Sequence, residues 1–178
     1  MEFVKSALAI LALSASQVAV AATQGTPGPT STGTVTINAT ITPEVQINNL
    51  NDLTFTATEL RTALNTGADA VKKDVVCGFS NNPDRSYFVT ATGDGSGGAF
   101  RLTDGTRSIA YSVEYLDGFG NGGALTAGTK SVAHRGSDFN CGGSGNAVLT
   151  INLANSVIGS MEATTTYTGV LTLLVTPT

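Results

Sequence analysis

The chain has 178 residues, only 12% of them are charged, and its formal net charge at pH 7 is −4. This weakly acidic balance argues against nucleic acid or anionic lipid as a partner. Helix-favouring Lys and Glu are few and β-branched residues fill the periodic segments, which is the composition of an all-β chain. The length is sufficient for one domain with a sizeable core.

The first 21 residues are predicted to be a secretory signal peptide. A start containing Lys5 precedes an apolar run at 7–13, and small residues at 19–21 form an A-x-A cleavage pattern. The apolar run is too short to span a membrane. We therefore expect an exported, soluble product. From the patterns described below, we expect it to consist of an N-terminal extension at 22–42 and a β-sandwich domain at 43–178.

The N-terminal extension combines a tail with a strongly patterned segment. Residues 22–33 contain Pro27 and Pro29 and are expected to be a flexible linker. Residues 34–41, TVTINATI, which we call the alternating segment, place polar residues at every even position. Such a period of two predicts a strand with one buried face, but does not say in which molecule that face is buried. The apolar odd positions are Val35, Ile37, Ala39 and Ile41.

The middle of the chain is predicted to be a series of short strands separated by turns. The alternation continues past Pro43 at Val45 and Ile47. One stretch has helical spacing, through Leu60 and Ala63 to an end at Gly67, although an irregular loop would look similar. Strands are predicted at 52–57, 74–80, 86–93, 99–103, 107–115 and 147–153, with a possible short strand near 131–133.

The last predicted strand carries apolar residues at odd positions, which therefore share one face. These are Tyr167, Leu171, Leu173 and Val175. Eight or nine short strands in total predict a β-sandwich or barrel. We find no internal repeat and no second domain.

The two cysteines, Cys77 and Cys141, are expected to form a disulfide, because an exported protein is oxidised. In the chain-entropy model, closing a loop of about 65 residues stabilises the fold by roughly 4 kcal/mol. The alternative is a pair of buried free thiols. A metal site would need more ligands than these cysteines and the single histidine, His134, provide.

No catalytic arrangement is recognisable. Ser137 and Asp138 lie beside His134, but residues so close on an extended chain do not converge on one point, so we expect a surface-loop histidine. The glycine-rich stretches GDGSGG and DGFGNGG match no calcium-binding loop. We expect no enzymatic activity and no cofactor or metal.

Four features occur here in a characteristic order. An export signal is followed by the strand GTVTINATITPEVQI, then by VVCGFSNNPDRSYFVTATG and DFNCGGSGNAVLTINL around the cysteines, and finally by a Y-x-G-x-L-x-L-x-V strand. In this order the chain resembles subunits of chaperone–usher pili, most of all the archaic, σ-class major pilins of the Csu or CupE type.

The resemblance implies an incomplete immunoglobulin-like β-sandwich, completed by a donor strand from a neighbouring subunit. Val35, Ile37, Ala39 and Ile41 would be the donor residues. Tyr167, Leu171, Leu173 and Val175 would form the groove-edge strand that pairs with the chaperone. The implied partners are copies of the chain in a head-to-tail homopolymer, a periplasmic chaperone and an outer-membrane usher.

The implied location is the surface of a Gram-negative bacterium, reached through the periplasm, where a fimbria would serve adhesion and biofilm formation. Two alternatives remain open from the residues. The first strand could complete the chain's own sandwich, giving a monomeric, secreted sugar- or surface-binding module. The chain could also be a minor or tip-proximal pilin.

Overall fold

A computed structural model describes residues 22–178, so the predicted signal peptide lies outside the described residues. The chain divides between Ile41 and Thr42 into two units, which we describe separately. Among the described residues, no helix has the length and apolar character that a membrane crossing requires.

The first unit contains a closed loop rather than the predicted flexible linker. The backbone N–H groups of Thr23 and Thr34 each donate to the carbonyl of the other at 3.0 Å, and their hydroxyls lie 2.6 Å apart. Between them the chain bends at 27–30. A Cβ on Gly25 would lie 2.0 Å from Ser31 Oγ, so any larger residue at this position would require the serine side chain to turn away. The linker prediction missed this pairing of two threonines eleven positions apart.

The second unit begins at Thr42 and contains ten strands and two α-helices within residues 42–178. In chain order they are β1 (Val45–Asn48), α1 (Ala57–Thr66), β2 (Ala70–Ser80), β3 (Ser86–Gly93), β4 (Arg101–Thr103), β5 (Ser108–Ala110), β6 (Ser112–Asp117), β7 (Gly122–Ala124), β8 (His134–Arg135), β9 (Ala147–Leu153), α2 (Asn155–Ile158) and β10 (Leu171–Pro177).

The strands form two main antiparallel sheets and one hairpin. The larger sheet has the order β1-β2-β9-β6-β7, and the smaller has the order β10-β3-β8. Strands β4 and β5 pair only with each other. The last strand runs along the whole of β3, from Leu171 opposite Gly93 to Pro177 opposite Tyr87.

The core lies between the two main sheets. Alternate residues of β9 point inward, and β6 and β3 contribute inward faces in the same way. The sheets are joined at their centre by Tyr87 and Tyr115, whose hydroxyls lie 2.8 Å apart. This arrangement is an all-β sandwich, as predicted. The buried strand residues include Tyr87, Val89, Ala91, Val113, Tyr115, Leu149, Ile151 and Leu153.

The predicted bounds of β3 and β9 are confirmed, and so is the short helix that ends at Gly67. The predicted strand at 52–57 is wrong, because residues 52–55 join no strand and Thr56 caps the N-terminus of α1, which begins at Ala57. The Thr56 hydroxyl accepts from the N–H of Glu59, whose carboxylate accepts in return from the N–H of Thr56. This capping box follows the T-x-x-E pattern, which is readable in the sequence.

Two further strand predictions need correction. The stretch 107–115 is two strands, because the chain leaves the β4–β5 hairpin at Tyr111 and enters the larger sheet as β6. The N–H of Tyr111 donates to the carbonyl of Phe100 at this corner. The short strand expected at 131–133 lies instead at His134–Arg135.

Candidate functional site

Strand β10 is an edge strand with one open side. Within residues 42–178 its only hydrogen-bonded neighbour is β3. Its odd residues, Leu171, Leu173 and Val175, are half-buried against the core, while Leu174 points outward and is 58% exposed. An edge strand exposes a row of backbone donors and acceptors to which another strand can add.

An apolar groove of about 680 Å³, which we call the β10 groove, lies beside this strand. Leu171 and Leu173 form one bank. The inward residues Leu149, Ile151 and Leu153 of β9 contribute to the floor. Residues 50–55 and Leu60 of α1 form the opposite bank. The groove therefore reaches down to the apolar core beside the open edge of β10.

The bank at 50–55 is held by side-chain hydrogen bonds and not by a strand ladder. The buried carboxylate of Asp74, on β2, accepts from the backbone N–H of Asn51 at 2.7 Å and from its side-chain amide at 2.9 Å. Leu53 and Phe55 pack against the core from this segment. The bank is thus fixed in place while its backbone remains outside both sheets.

The chain enters β10 through tight contacts with the β4 hairpin. Thr168 and Thr103 exchange two backbone hydrogen bonds of 2.7 and 2.9 Å. A Cβ on Gly169 would lie 2.5 Å from the carbonyl oxygen of Arg101, so glycine is required for this approach. The predicted final strand therefore starts at Leu171, and Tyr167 lies before it.

The four predicted groove-edge residues lie close together. Tyr167, Leu171 and Leu173 line the β10 groove, although Tyr167 is outside the strand. Val175 lies on the same face of β10, opposite Val89, and packs against the core beyond the groove lining.

The alternating segment does not form a strand within the single chain. Residues 35–41 have no regular secondary structure, and all of them are exposed. Val35, Ile37 and Ile41 are 71%, 85% and 80% exposed, and Ala39 is exposed as well. The apolar face predicted to be buried is therefore left in water within the single chain.

A buried polar cluster beneath the β8 strand was missed by the sequence analysis. His134 is fully buried, so the prediction of a surface-loop histidine is wrong. Its Nδ1 lies 3.2 Å from the carbonyl oxygen of Asn121 and therefore carries the proton, and its Nε2 lies 3.0 Å from Ser131 Oγ. Its ring packs edge-to-face on Tyr115 at 4.7 Å.

Burial determines the protonation of this cluster. It lowers the pKa of His134 below its ordinary 6.5, against opposing effects of the Asn121 carbonyl and Asp117. Burial also raises the pKa of Tyr87 to about 12, against the hydrogen bond from Tyr115. Burial acts to raise the pKa of Asp117, but hydrogen bonds from the backbone of Arg135 and from Asn121 outweigh it and lower the pKa. The groups of this cluster are buried, and their polar atoms have hydrogen-bond partners within the fold.

The sequence did contain one signal for the cluster. Asp117 continues the odd-numbered, inward face of β6 after Val113 and Tyr115. A carboxylate on a buried face requires donors, which Arg135 supplies at 2.7 Å and Asn121 at 2.8 Å.

The predicted disulfide between Cys77 and Cys141 is confirmed. It ties the loop at 139–143 to β2, where the rings of Phe79 and Phe139 meet edge-to-face at 5.4 Å. Among residues 22–178, no three His, Cys, Asp or Glu side chains are grouped to hold a metal ion.

Comparison with known proteins adds a likeness in fold. No family model and no curated protein matches the chain. Among solved structures, it is similar to one described as a chaperone–tip adhesin complex in CFA/I fimbriae biogenesis, with 15% identity and a TM-score of 0.50. The match covers 75% of this chain and 41% of that one, so the chain spans less than half the length of the structure it matches. The likeness concerns the fold alone, an all-β, immunoglobulin-like architecture.

Proposed function

We propose that this chain is a structural subunit of a chaperone–usher pilus and polymerises by donor-strand exchange. The observation that carries the proposal is the apolar β10 groove beside an unpaired sheet edge. In this assembly, the alternating segment of one copy adds a strand to β10 of the next copy. We infer a role in adhesion and biofilm, without catalysis, for a major subunit of the archaic class.

The dimensions and chemistry of the two surfaces match. Strand β10 has seven residues, and residues 35–41 supply seven more at the same rise of about 3.3 Å per residue. Burying Val35, Ile37 and Ile41 would contribute about 1.5–3 kcal/mol each. Ladder hydrogen bonds would add about 1 kcal/mol net apiece. A slip by one residue would bury Thr36 and Asn38 instead, which disfavours odd shifts of register.

An empty groove explains why export would need a chaperone. An exposed apolar cleft beside a free sheet edge promotes aggregation until another strand covers it. A periplasmic chaperone would cover the groove first, and an outer-membrane usher would exchange the chaperone for the next subunit. The fold likeness to a chain from a chaperone–adhesin complex supports this pathway.

A complementation experiment tests the proposal. A chain lacking residues 34–41 keeps the sandwich, so we expect it to remain monomeric when the parent forms polymers that survive detergent but not boiling. A synthetic TVTINATI peptide should bind this shortened chain and raise its melting temperature, whereas a peptide of the same composition without the alternation, TTNTVIAI, should not. Polymers from the shortened chain would refute the proposal, as would equal binding of the two peptides.

A further inference from the structure

We propose that two clamps, one on each side of residues 35–41, restrict strand donation to a single register. The inference rests on the proposed function and deepens it by naming the residues that position the donated strand. The alternation alone does not specify the register, since a shift by two residues returns apolar side chains to the buried face. Val45 and Ile47 continue the same phase beyond Pro43.

The first clamp is the pair Thr23 and Thr34. Both backbone groups of Thr34 are engaged by Thr23, the N–H as donor and the carbonyl as acceptor, each at 3.0 Å. The Thr23 hydroxyl also accepts from the N–H of Thr34 at 3.2 Å. Thr34 therefore cannot join a ladder on that edge without opening the closed loop, and Val35 is the first residue free to do so.

The second clamp is Asn81, which follows β2 in the sandwich. Its side-chain amide donates to the carbonyl of Thr42 at 2.8 Å, and its side-chain oxygen accepts from the N–H of Glu44 at 2.7 Å. Its own N–H donates to the carbonyl of Glu44 at 3.1 Å. Pro43 lies between Thr42 and Glu44 and has no N–H. The chain from Thr42 onward thus belongs to its own sandwich, and Ile41 is the last free residue.

Seven residues remain between the clamps, the same number as in β10. No hydrogen bond among the described residues involves the backbone of 35–41. A shift by two residues in one direction would open the Thr23–Thr34 pair. A shift in the other would detach Thr42 from Asn81 and bring Pro43 into the ladder. Asn81 and Thr23 are therefore positioning residues for a strand that they do not belong to.

Disulfide mapping in the full chain reads the register directly. Asn38→Cys is combined in turn with Thr172→Cys, Leu174→Cys or Thr176→Cys, which share the face of β10 opposite its core-facing odd residues. Thr172 and Leu174 are exposed, and Thr176 is half-buried. Polymers are oxidised, and the cross-link between neighbouring copies is quantified. Because a two-residue shift moves a partner by about 6.6 Å, beyond what a disulfide spans from an adjacent position, one pair should exceed the others by at least about fivefold.

Both clamps are then weakened in one variant that carries Thr23→Pro and Asn81→Ala. Proline lacks the N–H and the hydroxyl of Thr23, and alanine lacks the side-chain amide with which Asn81 holds Thr42 and Glu44. A matched control carries Gln24→Pro and Asn82→Ala. Gln24 donates no backbone hydrogen bond among the described residues, and the Asn82 amide binds Ser86 and Thr178 instead of residues 42–44. Urea unfolding of each variant confirms that its sandwich is folded.

The inference is supported if the control keeps one dominant pair and the clamp variant spreads its cross-links over two or three pairs. It is overturned if the clamp variant keeps the single dominant pair, a result that leaves donor-strand exchange intact. Failure of the parent background to polymerise or to form any of the three cross-links would instead overturn the proposed function, and this inference with it.

Discussion

Replacing Ile37 with aspartate should prevent assembly while leaving the single chain intact. Ile37 is 85% exposed, more than Val35 or Ile41 in the same segment, and lies outside the unit that contains the sandwich. Substitutions at such exposed positions change the free energy of unfolding by about 0.5 kcal/mol or less. Any large effect of Ile37→Asp must therefore arise between molecules.

The expected loss has two parts. The buried isoleucine would have contributed about 1.5–3 kcal/mol to each junction. Aspartate loses this contribution and also takes a carboxylate out of water, which costs several kcal/mol more. A total of about 4 kcal/mol or more weakens each junction by roughly a thousandfold.

The neighbouring substitution Thr36→Asp is the matched control. It adds the same charge one position earlier, on the face that would point outward after insertion, so we expect less than a tenfold change. Unheated gels and analytical ultracentrifugation measure the polymers, and urea unfolding measures the single chain. Equal assembly of the two variants would show that the odd positions are not buried and would refute the reasoning.

Three further predictions concern the sandwich, studied in a chain whose assembly is blocked. Tyr87→Phe or Tyr115→Phe alone should lower the free energy of unfolding by about 1–3 kcal/mol, because the remaining hydroxyl is buried without its partner. In a double-mutant cycle, the double variant should lower the free energy of unfolding by clearly less than the sum of the two single variants. Burial lowers the pKa of His134, so the unfolded state takes up a proton more readily than the folded state. The free energy of unfolding should therefore be highest above pH 6.5 and should fall as the pH drops below that value. In urea unfolding, His134→Gln should show a smaller decline from pH 6.5 to 5 than the parent chain. An unchanged decline would exclude the histidine as its source. Replacing both Cys77 and Cys141 with alanine should lower stability by about 2–5 kcal/mol in urea unfolding, and an unchanged midpoint would contradict a structural role for the disulfide.

Regular patterns in the sequence predicted the sandwich well. Strands β3 and β9 lie where the alternation predicted them, because each buries one face along its whole length. The disulfide and the short helix before Gly67 were also readable. For the candidate site, the periodicity placed Leu171 and Leu173 on one face of the last strand, and both line the β10 groove.

Errors arose where side-chain hydrogen bonds override periodicity. Thr56 and Glu59 form a helix cap in a stretch whose alternation looked like a strand. The pairing of Thr23 with Thr34 closes a region whose composition indicated a flexible linker. The opposite bank of the groove depends on Asp74 holding Asn51, a contact between residues 23 positions apart that no local pattern reveals.

The β10 groove and the alternating segment are two different surfaces carried by one polypeptide. Contacts between unlike surfaces are heterologous, and they continue from copy to copy unless a ring closes. A fibre assembled as proposed would have direction, with an empty groove at one end and an unused segment at the other. The apolar area left in water would then be that of one groove and one segment, whatever the number of subunits. Its unfavourable free energy per subunit falls as the fibre lengthens, so long fibres are favoured over many short ones.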